Sequence, residues 1–72
     1  MSASGKGNVM RMLTVTDYVI PGKQPVYCRR EDRYSWIVTH GKWLEEHYDN
    51  EEIAVERASA QARVEMVPVI VE

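Results

Sequence analysis

Between Glu51 and Glu65 the apolar residues recur at helical spacing, and most of them are small. Ala54, Val55, Ala58 and Ala62, continued by Met66, make a narrow stripe that suits close docking on a sheet. A helix of about 15 residues is roughly 22 Å long and about 10 Å wide. Strands lie about 4.8 Å apart, so such a helix shields one face of a small sheet and no more. Asp49 and Asn50 are both suitable N-caps. Asp49 with Glu52 forms a capping-box-like pair, with Tyr48 placed to staple onto Ile53, and Asn50 is the competing cap. Glu51 and Glu52 precede Arg57 and Arg63, the order that the helix dipole favours. Pro68 ends the helix.

The remaining segments read as strands. Met12 to Ile20 is rich in β-branched and aromatic residues and alternates over part of its length. It stops at Pro21-Gly22. Val26 to Arg30 predicts a second strand, and Arg29-Arg30-Glu31-Asp32-Arg33 leads into a turn. Tyr34–Thr39 and Lys42–Tyr48 flank His40-Gly41, a two-residue loop with glycine second. With that loop, Thr39 faces Lys42, Val38 faces Trp43, Ile37 faces Leu44, Trp36 faces Glu45 and Tyr34 faces His47. One hairpin face then carries Tyr34, Trp36, Val38 and Trp43, and the other carries Ile37, Leu44 and Tyr48. Val67 to Val71 predicts a last strand, placed on a sheet edge by Pro68. The run Met1-Ser-Ala-Ser-Gly-Lys-Gly-Asn is small and polar with no apolar anchor, and a disordered tail over 1–9 is expected before a single domain over 10–72.

Composition narrows the function classes. Nine basic against eleven acidic residues give a net charge of −2, which argues against a non-specific nucleic-acid coat and a polybasic membrane anchor. One cysteine rules out an intramolecular disulfide, and no apolar run approaches the ~18 residues of a membrane span. A cytoplasmic compartment is expected. At 72 residues one core supplies only about 3–5 kcal/mol, so a partner chain would help.

No metal, cofactor or catalytic constellation is expected. The hairpin register separates His40 and His47 by roughly 20 Å, and Cys28 has no second thiol. Cys28 reads as a small buried apolar residue. Glu45, Glu46, His47 and Asp49 are adjacent, yet alternation divides them between faces. Two surfaces stand out instead. Tyr34, Trp36, Val38 and Trp43 form an aromatic sheet face of the kind that interfaces use. Arg29, Arg30 and Arg33, interleaved with Tyr27, Tyr34 and Trp36, could grip phosphates and stack on bases.

Trp36, Val38, Gly41 and the run Tyr48-Asp49-Asn50-Glu51-Glu52-Ile53-Ala54, followed by Ala58, carry a resemblance. From Tyr27 to Arg63 the chain resembles the small bacterial family called domain of unknown function 2188. That family joins a Trp-x-Val strand and a hairpin to an aromatic-Asp-Thr-Glu-Glu-x-Ala helix start. The helix start is also similar to that of three-stranded DNA readers, the integrase arm-binding and plant ethylene-response-type domains. The first family brings no established activity, and its resemblance implies a phage- or mobile-element-type accessory protein.

The expected architecture is α+β, a three- or four-stranded mainly antiparallel sheet with one helix in the C-terminal half packed on one face. The expected function is a non-enzymatic interaction module that self-associates as a homodimer or binds a protein partner through the aromatic face. The alternative is a small DNA-binding protein using Arg29, Arg30 and Arg33.

Overall fold

The computed structural model describes residues 10–72, and the predicted tail at 1–9 lies outside the described residues. The elements run β1 (Arg11–Leu13), β2 (Val26–Asp32), β3 (Ser35–His40), β4 (Leu44–Tyr48), α1 (Glu51–Glu65) and β5 (Val69–Val71). They form a small α+β domain with one five-stranded sheet in the order β1-β5-β2-β3-β4. Neighbours are antiparallel except β2 and β5, which run parallel because α1 carries the chain back across the sheet.

The alanine stripe determines where α1 lies. Ala54, Ala58 and Ala62 are fully buried, and the helix packs chiefly on β2 and β3. Beneath it lie Val26, Cys28, Val38, Val69 and Val71, joined by Val67 from the loop before β5. Trp36, Leu44 and Tyr48 pack around this core from the same side of the sheet. Of the two candidate caps, Asn50 is the one used, its side-chain oxygen accepting the Ile53 amide at 3.1 Å.

Three sequence expectations change. The first strand is only Arg11–Leu13 rather than Met12–Ile20, because its sole neighbour β5 is itself three residues long. β5 is interior rather than an edge. Pro68 precedes the strand, so its missing N–H removes no ladder bond, while its carbonyl accepts the Val26 amide at 3.1 Å. The hairpin loop is three residues, Gly41 to Trp43, and His40 pairs with Leu44. The Trp43 amide donates to the His40 carbonyl at 3.2 Å to close it, with Gly41 at a φ of +60°. Relative to the two-residue loop the register moves by an odd number, which exchanges the two faces of β4 against β3.

Candidate interaction surface

The register decides which residues share a face, and it disperses the aromatic face expected over Tyr34, Trp36, Val38 and Trp43. Val38 is fully buried beneath α1. Trp36 lies on that same helix-covered side, beside Tyr48, and is half-buried. Tyr34 sits in the β2–β3 turn with 72% of its surface exposed, and Trp43 sits in the β3–β4 loop with 84% exposed. These four do not make one surface.

The uncovered side is built by other residues. Cys28 and Val26 point toward α1, so alternation turns Tyr27 and Arg29 away from it, and the same logic turns out Ile37 and Ile70. One row crosses all five strands: Met12 beside Ile70, Ile70 beside Tyr27, Tyr27 beside Thr39, and Thr39 beside Glu45. A second row runs Arg29, Ile37, His47. Met12 is exposed, while Ile70, Tyr27 and Ile37 are half-buried. Tyr27 and Ile70 lie within segments that the sequence predicts as strands, and their alternation is the signal that marks them. The helix-facing assignment of Ile37's neighbours was what the sequence left open.

Charges frame this apolar band. The Arg29 guanidinium stacks over the Tyr27 ring at 4.7 Å, and its Nε donates to Glu72 at 3.3 Å. His47 Nδ1 meets Glu31 at 2.8 Å and Nε2 meets Glu45 at 3.4 Å. The hydrogen bonds to Glu31 and then Glu45 hold the imidazole pKa above its ordinary value. Glu31 moves the other way, lowered by bonds from His47 and Ser35. The Ser35 hydroxyl donates to Glu31 at 2.9 Å rather than to the imidazole.

The three arginines do not converge. Arg29 is on the open side. Arg30 is paired with Trp36 across the strands on the helix side, 5.6 Å over its ring, with Nε donating to the Asp32 carbonyl at 3.0 Å. Arg33 lies in the β2–β3 turn, its carbonyl accepting from Arg30 at 3.3 Å. Two of the three therefore already spend guanidinium N–H groups within the molecule.

At the other end of the sheet a cleft of about 580 Å³ opens between Lys23, Gln24, His40, Trp43 and Glu65. Its walls are mutually bound. Lys23 Nζ donates to Glu65 at 2.9 Å, and Nε2 of His40, a residue with 6% of its surface exposed, bonds the Gln24 carbonyl at 3.0 Å. Cys28 is buried, and that burial, followed by the charge of Glu51, raises its thiol pKa and keeps it neutral. Among the described residues no three His, Cys, Asp or Glu side chains are grouped to hold a metal ion. Among those residues, too, no helix is long and apolar enough to cross a membrane. Comparison with protein-family models, curated proteins and solved structures gives no match for the chain.

Proposed function

We propose that the protein is a non-enzymatic interaction module that binds a protein partner through the sheet side opposite α1. The observation that carries this is the apolar band Met12–Ile70–Tyr27 with Ile37, which no helix or strand among the described residues covers. Its rim supplies both signs of charge, Arg29 and His47 against Glu31, Glu45 and Glu72. An apolar centre with a mixed polar rim is the anatomy of a protein interface. A phosphate-binding surface would need unpaired cations on one side, and Arg29, Arg30 and Arg33 are divided among the open side, the helix side and the turn. A cytoplasmic setting fits a free, buried Cys28.

The test is capture of partner proteins by the full chain against its Ile37→Glu variant, each first shown to melt at the same temperature. The reading requires a protein held by the wild type and lost by the variant. Equal retention by both overturns it. Retardation of duplex DNA at low salt, removed by reversing Arg29, would assign the surface to nucleic acid instead.

A further inference from the structure

The sheet has two ends, and they differ. β1 is three residues long, whereas β4 presents five residues, Leu44–Tyr48, and among the described residues no strand lies beyond them. In an antiparallel ladder half of a strand's amides and carbonyls point away from its one neighbour, so the outer side of β4 is an unfilled hydrogen-bonding edge. We propose that a second copy of this chain fills it, β4 against β4 and antiparallel, about a two-fold axis at Glu46.

The sequence of β4 is self-complementary in that register. Glu45 stands opposite the partner's His47, and His47 opposite the partner's Glu45, on the open side of the sheet. Leu44 stands opposite the partner's Tyr48 on the helix side, an apolar pair at each end of the seam. The two Glu46 side chains meet at the axis, and each is already held by the Nε of its own Arg57 at 2.9 Å and by the hydroxyl of its own Tyr48. Centring one residue earlier sets Glu45 against Glu45, and one residue later sets His47 against His47. Both forgo the two Glu45–His47 pairs across the seam, and both leave part of the strand unpaired. A copy placed face to face rather than edge to edge would use none of this pairing.

Room for the partner is a matter of where α1 sits. The helix packs chiefly on β2 and β3, so its axis lies about one and a half strand spacings inside β4, and the two helices of the pair run roughly 19 Å apart. That exceeds the ~10–12 Å diameter of a helix with side chains. An axis perpendicular to the sheet also keeps both helices on one side. The ten strands then present one continuous open side, and the partner surface proposed above is doubled without being covered. The edge pairing is independent of what occupies that surface.

The groups around His47 are Glu31 from β2, Glu45 from its own strand and Asp49 just beyond it, with Tyr34 from the β2–β3 turn and the uncharged Ser35 and Ile37 from β3. Neutralising the imidazole therefore weakens the seam, and dimerisation should fall as pH rises through the His47 titration.

Sedimentation mass at millimolar concentration tests the pairing, with circular dichroism to confirm that each variant is folded. The wild type should have twice the chain mass. His47→Glu, which opposes two carboxylates at each end, and Glu45→Lys, which removes the acidic partner, should each give a monomer. The double variant Glu45→Lys with His47→Glu restores opposite charges and should recover the dimer. Ile37→Glu, on the open side but off the edge, should leave the mass unchanged. A monomeric wild type overturns the pairing, as does a double variant that stays monomeric while folded, or a dimer lost in Ile37→Glu and kept in His47→Glu.

Discussion

The amide of Ile20 donates to the carbonyl of Met66 at 2.8 Å, and Met66 is the only non-glycine among the described residues with a left-handed backbone, at a φ of +60°. The two facts are linked. The left-handed residue ends α1 and turns its carbonyl toward the segment that connects β1 to β2, so one strained position both stops the helix and pins a loop. A side chain in this conformation costs roughly 1–2 kcal/mol, which glycine avoids at the expense of about 0.5–1 kcal/mol of chain entropy. Met66→Gly should therefore stabilise by about 0.5 kcal/mol, and β-branched Met66→Ile should destabilise by about 1 kcal/mol. Paired urea titrations read both signs, and the Ile variant proving the more stable would mean that the carbonyl is held by something other than this turn.

Asn50, rather than Asp49, accepts the Ile53 amide. Asn50→Ala should cost about 1 kcal/mol of stability, while Asp49→Ala should cost much less. Equal losses in thermal melts would show that the two side chains share the cap.

Ala58 is fully buried where α1 lies on β2 and β3. A leucine there has no void to enter and must lift the helix from the sheet. Ala58→Leu should destabilise by about 1–3 kcal/mol through overpacking. The outward Val64, 77% exposed, is the control: Val64→Ala should change stability by no more than about 0.5 kcal/mol.

His47 and Glu31 make stability depend on pH in opposite directions. The folded His47 pKa lies above its ordinary 6.5, so its contribution is fully present below 6.5 and is lost as pH rises through the folded value. Glu31 lies below its ordinary 4.5, so its contribution is present above 4.5 and is lost as pH falls through the folded value. The pair therefore stabilises most between 4.5 and 6.5. An NMR titration should place the His47 midpoint above 6.5, and Glu31→Gln should lower it. Because the His47 side chain is 53% exposed, added salt should shrink the difference. A midpoint unmoved by Glu31→Gln would show that the 2.8 Å contact does not persist in solution.

Periodicity was sufficient for α1, for its buried alanines and for the presence of strands on either side of it. It was insufficient for the surface, and the reason is local. Whether Trp43 belongs to a strand or a loop turns on whether His40 sits inside the turn or ends β3, and His40-Gly41 in the sequence suits either. The structure ends β3 at His40, and that one choice moves Leu44 under the helix and leaves Trp43 in the loop. β5 was misplaced for a different reason. In the sequence Pro68 reads as a residue of the strand, whereas it stands just before Val69 and leaves the strand's own amides free for two neighbours. Pairings between segments distant in sequence, such as Arg29 with Glu72 or Lys23 with Glu65, have no signature in a single chain's pattern at all.

The β3–β4 loop that decided the register also offers the sharpest contrast in mutational cost. Gly41 has a φ of +60°, and a Cβ placed there would lie 2.8 Å from Cζ3 of Trp43 and 3.2 Å from Oε1 of Gln24. Gly41→Ala thus meets both backbone strain, roughly 1–2 kcal/mol, and a ring that must move. Trp43 is 84% exposed and only brushes His40, their ring centroids 6.4 Å apart. Removing the indole should therefore change stability by no more than about 0.5 kcal/mol, as for other exposed surface residues. In the double variant the alanine methyl no longer meets the indole, so Trp43→Ser should recover part of the loss caused by Gly41→Ala while leaving the cost of the positive φ. A double-mutant cycle in chemical denaturation measures that recovery directly. Strict additivity of the two changes would mean that the indole does not lie over Gly41, and that the loop closes in some other way.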